Sequence, residues 1–285
     1  MLRIMSSLID QELCRLCPRC ERENIVKNGR DRRGTQVYRC ADCGRSFTAL
    51  TGTPFSGHSF PPTVIGLAVR WYLRFRLSYA DVVEWLAERS IQVDASTVFD
   101  WVQKFAPLYQ DAAKAHRHRV GQRWSVDETY VKVAGRWGYV YRAIDESGQV
   151  VEVLFQEHRD TKAATAFFRT ALDNTGVTPH TVTTDKAAAY PPALAEVLPA
   201  VEHITGKAEQ QRIERDHQHL KGRLKVFRGC KTVGGAQRFC RAHGFVRNLQ
   251  QGFYRLGTVP QNAEDAMRPL LVRAWEALTA QLLVA

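Results

Sequence analysis

Apolar residues recur along the chain at two spacings, and the change from one to the other near residue 124 divides the sequence. Before it the spacing is helical. Thr63 to Phe75 carries Val64, Leu67, Ala68, Trp71 and Tyr72 at core positions. Leu77 to Arg89 forms a second helix capped by Ser78. After a short break, Ser90 to Asp94, a third helix runs from Ala95 to Phe105. It has Val98, Trp101, Val102 and Phe105 on one face and Ser96 or Asp94 as its cap, and Pro107 closes it. Two short helices joined by a tight turn read as a helix-turn-helix, with Ser96, Thr97, Asp100, Gln103 and Lys104 placed to enter a major groove.

From Trp124 onward β-branched and aromatic runs take over. Trp124–Val133, Trp137–Ile144 and Val150–Glu157 alternate as strands, joined by turns at Gly135 and Ser147-Gly148, which predicts an antiparallel meander. Trp137 and Tyr139 are read as core aromatics. Thr161–Leu172 is helical, with Glu157 and Asp160 as caps. Thr181–Asp185 is a short strand, two proline-broken helical pieces follow, and then a run at Val201–Ile204. A long helix over Gln210–Phe227 carries Ile213, Leu220, Leu224 and Phe227 as its stripe, with Glu214, Gln218, Lys221 and Lys225 on the flank and His217 at the border. Gly235–Tyr254 and Ala263–Leu283 are helical. Strands, helix, strand and helix in this order predict an α/β domain with a mixed sheet.

Seven cysteines change the picture at the N-terminus, since five of them lie between Cys14 and Cys43. Cys17-Pro-Arg-Cys20 and Cys40-Ala-Asp-Cys43-Gly44 form two C-x-x-C knuckles around a polar, strand-prone segment, the spacing of a four-thiolate structural zinc site. So little apolar content needs the metal to fold. Cys14 is left spare, a Cys14/Cys17 pair being the competing assignment, and Cys230 and Cys240 are read as small buried apolars. The expected domains are a zinc ribbon at 12–50, a helix-turn-helix domain at 60–118, a catalytic domain at 119–258 and a C-terminal helix at 259–285.

A formal charge of +11 and a pI near 9.5 call for a polyanionic partner. No apolar run is long enough to span a bilayer and Met1–Glu12 lacks the apolar core of a secretory signal, so the expected location is cytoplasmic, at the nucleoid, and double-stranded DNA is favoured over lipid. Cations crowd the ribbon (Arg15, Arg19, Arg22, Lys27, Arg30, Arg32, Arg33, Arg39, Arg45). They crowd the stretch around the long helix too (Arg212, Arg215, Arg223, Arg228, Lys231, Arg238, Arg241), where they read as a DNA track.

Asp127 lies within a strand, Asp185 ends another, and Glu214 lies on the long helix. Carboxylates from three separate elements are the donor set of a two-metal phosphoryl-transfer site, with two Mg²⁺ (or Mn²⁺) ions and water and phosphate oxygens completing the shells. Asp127 competes with Glu128 for this role and Glu214 with Asp216; Asp185 has no local rival.

Several phrases taken together are specific. Trp124-Ser-Val-Asp-Glu-Thr-Tyr-Val-Lys-Val, Tyr141-Arg-Ala-Ile-Asp, Thr184-Asp-Lys-Ala-Ala-Ala-Tyr and Ile213-Glu-Arg-Asp-His-x-x-Leu-Lys resemble DDE transposases of insertion sequences, in particular the IS-six family. The resemblance runs from about Leu77 to Leu256 and includes Val93-Asp-x-Ser-Thr-Val-x-x-Trp-Val. It implies an RNase H-like fold and selects Asp127, Asp185 and Glu214 as the metal-binding triad. It also implies that Lys221 contacts transposon-end DNA, that His217 helps shape the site, and that a homodimer pairs two ends to form cointegrates; Lys225, on the same flank by helical spacing, is read as a further DNA contact. One departure is Ser90, where relatives carry Gly in the helix–helix turn. The expected activity is recognition of terminal inverted repeats followed by strand cleavage and strand transfer. The alternatives are a DNA-binding regulator with an idle catalytic fold and a metal nuclease that cuts without joining.

Overall fold

A computed structural model describes residues 16–31, 34–206, 211–227 and 230–284. Cys14, Arg15, Arg32, Arg33 and Arg228, named above, lie outside the described residues, as does the start of the predicted ribbon. Two compact units emerge, Met1–Gly66 with Glu276–Ala285, and Leu67–Trp275. No helix among the described residues is long and apolar enough to cross a membrane.

In the first unit β1 (Ile25–Arg30), β2 (Gln36–Cys40) and β3 (Ser46–Phe47) form an antiparallel sheet in that order. Among the described residues its buried cluster consists of Cys17, Tyr38, Cys40 and Phe47, with Cys20, Ile25 and Cys43 packed against it. β1 is exposed on both faces beyond Ile25, so this sheet has almost no apolar core of its own.

The second unit contains the predicted helices. They are α1 (Pro62–Arg74), which begins in the first unit, then α2 (Tyr79–Ala87) and α3 (Ala95–Ala113). Ser78 caps α2 through a complete capping box with Asp81. The turn after α2 closes as a Schellman motif: Ile91 N–H donates to Leu86 O at 3.0 Å and Ser90 N–H to Ala87 O at 2.8 Å. Ser90 takes φ 60°, the left-handed conformation that a glycine would hold without a Cβ penalty. Asp94 is the N-cap residue of α3, without a side-chain cap bond.

Three expectations need correction. Pro107 does not end α3; the helix runs to Ala113, because Tyr109 and Ala113 continue its buried stripe past Phe105 and Ala106, and that burial outweighs the missing N–H bond. Trp137 is not in the core. It is 63% exposed, at the tip of a hairpin whose Ala134-Gly135 turn has positive φ at both residues, where strand alternation no longer distinguishes an inner face. Residues 263–283 are not one helix but α8 (Ala263–Ala266) and α9 (Leu270–Val284), separated at Pro269. The basic stretch after α3 is also anchored: Arg117 donates to the carbonyls of Val150 and Val151 at 2.6 and 2.9 Å.

β4 (Arg123–Val133), β5 (Arg136–Asp145) and β6 (Val150–Gln156) form the predicted meander. Next come α4 (Thr161–Thr175), β7 (Thr181–Thr184), α5 (Tyr190–Val197), β8 (Glu202–Thr205), α6 (Gln211–Leu224) and α7 (Val233–Gln250). Asp160 caps α4 through Ala163 N, and Gly176 closes it in the left-handed conformation. The sheet order is β6-β5-β4-β7-β8, antiparallel among the first three strands and parallel from β4 through β7 to β8, which is the RNase H-like arrangement. Trp124, Val126, Tyr141, Phe167, Phe168, Tyr190 and Leu194 build the core between one face of this sheet and α4 and α5. α7 packs along β6: Gln237 bonds Phe155 N and Val153 O, and Asn248 bonds both polar groups of Val150. A Cβ on Gly244 would stand 3.1 Å from Val150 and 3.2 Å from Val153, so this glycine sets how near α7 can lie.

Candidate active site

The parallel pairing of β4 with β7 ends at Ser125 opposite Thr183. Two residues further on, in the same register, stand Asp127 and Asp185. Asp185 follows the carboxyl end of β7, the side on which α/β sheets place ligands, while β4 continues past Asp127 in its pairing with β5. Alternation along a strand predicts that Asp127 and Glu128 point to opposite faces. Even so, the carboxylate oxygens of Asp127, Glu128 and Asp185 lie within 4.8 Å of one another.

The three acids are held differently. Glu128 is buried on the α4–α5 side, where it pairs with Arg159 and accepts a hydrogen bond from the Tyr190 hydroxyl. Arg159 also donates to Asp185 Oδ2 at 2.9 Å, and Ala187 N–H donates to Asp185 Oδ1 at 2.9 Å. Burial works against the charge of Arg159, but Glu128 and Asp185 outweigh it and hold its pKa above the ordinary value. Asp127 has no cation beside it among the described residues. Its neighbour is His217, whose Nδ1 lies 3.5 Å from Asp127 Oδ2. Burial, with the charges of Arg142 and Lys221, depresses His217 to about 3, so its ring is neutral and offers dipole but no charge. Burial first, and then the charges of Glu128, Asp185 and Glu214, push the Asp127 carboxyl from an ordinary 3.8 to about 7. A buried acid crowded by acids is a group that a hard cation would relieve.

α6 supplies the remaining acid, docked by buried charges. Asp216 pairs with the fully buried Arg142 of β5, and Arg247 Nε lies 3.4 Å from its other oxygen. Two arginines thus occupy Asp216. Glu214, in the first turn of α6, is exposed and lies outside the close group of three, with its charge still felt at Asp127. Lys221 and Lys225 are exposed on the same helix and in the 3-10 turn that follows it. Of the groove candidates, Ser96 and Asp100 are exposed and Thr97 half-buried; Gln103 accepts from Arg238 at 2.9 Å, and the Lys104 ammonium lies over its neighbour Phe105.

Arg159, Tyr190 and Arg142 were not singled out from the sequence. Arg159 lies in a loop with no periodicity to mark it. Arg142 did leave a signal, a charge in the middle of an otherwise apolar strand, which requires a buried partner.

In the N-terminal unit Cys17 Sγ lies 3.7 Å from Cys43 Sγ and Cys20 Sγ 3.6 Å from Cys40 Sγ. A disulfide would need about 2.05 Å. Four sulfurs 2.3 Å from one tetrahedral zinc would stand about 3.8 Å apart. The spacing is that of a metal centre, and these are all free thiols. Cys240 is fully buried as expected, and Cys230 is half-buried.

A family model described as a DDE domain matches residues 121–253, the span from the start of β4 through α7. The transposase for insertion sequence-like element IS431mec of Staphylococcus aureus is 39% identical over 185 residues, which cover 63% of this chain and 82% of that one. The transposase for insertion sequence element IS257 in transposon Tn4003, also from Staphylococcus aureus, matches to the same extent. Among solved structures, the HTLV-2 integrase catalytic core domain is similar at 22% identity over 39% of this chain and 75% of that one, with a TM-score of 0.33, and the strand order rather than this overlap carries the fold. With so much of an IS431mec-type relative matched at that identity, the chain belongs to the DDE transposases of the IS-six family.

Proposed function

We propose that this transposase binds the terminal inverted repeats of its element, nicks the DNA there and joins the freed end to target DNA. Asp127, Asp185 and Glu214 would hold two Mg²⁺ ions. The observation that carries this reading is the in-register convergence of Asp127 and Asp185 past the last β4–β7 pair, with the Asp127 carboxyl raised by burial and by its acidic neighbours. When bound, such ions activate an attacking oxygen and stabilise a leaving one.

The protein's own groups do the positioning. Arg159 balances Glu128 and Asp185 and keeps the cluster intact before DNA arrives. Neutral His217 orients the Asp127 carboxylate without competing for the cation site. The buried Arg142–Asp216–Arg247 pairs anchor α6, the helix that carries Glu214, against β5 and α7. Lys221 and Lys225 meet backbone phosphates of the end. Water attack on a phosphodiester breaks one P–O bond and leaves a 3′-hydroxyl, and that hydroxyl attacks a target phosphodiester, so each bond broken is matched by one formed.

The ribbon thiols Cys17, Cys20, Cys40 and Cys43 would hold one structural Zn²⁺, and a homodimer would pair two ends. The test is an assay with labelled terminal repeats and Mg²⁺. Wild type should nick and join. Glu214→Gln and Asp127→Asn should bind the repeats normally yet lose more than the tenfold to hundredfold that a group acting only through a ligand costs. Wild-type cleavage rates in Glu214→Gln would remove Glu214 from the triad.

A further inference from the structure

The cleavage site is not the only place on the second unit where charge is concentrated. A cavity of about 270 Å³ opens where the C-terminal end of α1 meets α6 and α7. Arg74, Arg76, Arg223 and Arg247 line it together with His219 and His243, and no acidic side chain is among the described residues of the lining. With its side-chain amide in the orientation that satisfies both groups, Gln250 Oε1 accepts from Arg74, and the carbonyl of Tyr72 accepts from Arg223. The neutral acceptor on Arg74 orients its guanidinium without cancelling its charge. The Asp216 carboxylate meets Arg247 at 3.4 Å and is already shared with Arg142. Arg74 and Arg76 have no carboxylate at ion-pair distance among the described residues.

The arrangement is built rather than incidental. A Cβ on Gly222 would stand 2.8 Å from the Arg76 guanidinium, so the absence of a side chain there lets Arg76 lie across α6. His243 is 5% exposed, and its Nδ1 is buried with no hydrogen-bond partner among the described residues. Burial first, and then the charge of Arg247, lower the pKa of Arg74. Four guanidinium forks around one cavity are an oxyanion receptor, and planar bidentate donors match phosphate in particular. The volume is just under the usual range for a drug-sized ligand and holds a phosphate group together with several waters.

We propose that this cavity holds one phosphate of a DNA backbone outside the cleavage site. The proposal rests on the reading of the chain as a DNA-binding transposase. Arg223 lies nine residues after Glu214 on α6, about half a turn round the helix and about 13 Å along it. DNA seated here therefore touches the opposite flank of the helix that carries Glu214, a contact separate from the one assigned to Lys221.

The experiment is a salt series. Binding of labelled terminal-repeat DNA would be followed by fluorescence anisotropy in Mg²⁺-free buffer for wild type, Arg76→Ala, Arg76→Lys and Arg76→Glu. Arg76 is exposed, so these changes leave folding intact, which a thermal melt verifies. Losing one phosphate contact should flatten the plot of log K against log salt by about 0.9. Arg76→Ala should show that change, Arg76→Lys should keep the wild-type slope, and Arg76→Glu should bind more weakly than Arg76→Ala. A wild-type slope and affinity in Arg76→Ala overturn the proposal. In a second arm, inorganic phosphate is compared with chloride at equal ionic strength in melts of wild type and Arg76→Ala. Stabilisation of wild type alone, combined with an unchanged DNA slope, also overturns the DNA assignment in favour of free phosphate. If wild type itself fails to bind the repeats, the functional reading has failed rather than the cavity's role.

Discussion

Replacing Asp127 with Asn should make the Mg²⁺-free protein more stable, and only at the pH where the acid is ionised. The folded protein holds the Asp127 proton more tightly than the unfolded chain does, with a pKa of about 7 against 3.8. A group raised in this way erodes stability as pH climbs from the unfolded to the folded value, and the full penalty is present above about 7. Three units at about 1.4 kcal/mol each bound the effect near 4 kcal/mol. Solvent reaching the Asp185 and Glu214 side of the cluster screens it, so about 2 kcal/mol is the working magnitude. For a chain of this size that is about 4–8 °C in melting temperature. Melts of wild type and Asp127→Asn in Mg²⁺-free buffer should differ by this amount at pH 8, by less at pH 6, and by almost nothing at pH 4. Excess Mg²⁺ should invert the order at pH 8, because a cation that binds only the native wild type stabilises it by mass action. An Asn variant less stable than wild type at pH 8 without Mg²⁺, or a gain indifferent to pH, would refute the account of a strained acidic cluster.

Two further outcomes follow from the other sites. Cys40→Ser should carry about one zinc fewer per chain than wild type by elemental analysis and should lose the fold of the β1–β3 sheet, whose apolar cluster is only a few residues; unchanged zinc content would rule out the four-thiolate centre. Ser90→Gly should raise stability by up to about 1 kcal/mol, since relief of the left-handed strain (about 1–2 kcal/mol) exceeds the added freedom of the unfolded chain, and a lower melting temperature would show that the serine side chain contributes more than its strain costs.

Local rules read much of this fold correctly where one physical effect dominated. The meander was legible because alternation, turn glycines and β-branched content agreed from Trp124 to Gln156. Ser78 and Asp160 were legible as caps because that chemistry spans three residues. Pro107 was misread because a local rule about one lost N–H was set against a buried stripe whose extent only the packing reveals. Trp137 was misread because side-chain character says nothing about where a hairpin leaves the core. In the candidate site, the Asp127–Asp185 proximity needs the register of two strands some sixty residues apart in sequence, and the sequence holds no record of that register. The partners of Arg159 and of Arg142 are unreadable for the same reason, since each lies distant in the chain; the Arg142 charge in an apolar strand says only that a partner is needed.

The side-chain amides of Gln237 and Asn248 have a consequence for assembly. β6 ends the sheet, and a terminal strand normally offers its outward N–H and C=O groups as a template for another strand. Here those two residues already take up the groups of Val150, Val153 and Phe155, and α7 lies over them. A second protein chain cannot extend the sheet on this side, so a copy that meets this edge must do so through side chains rather than through a shared ladder.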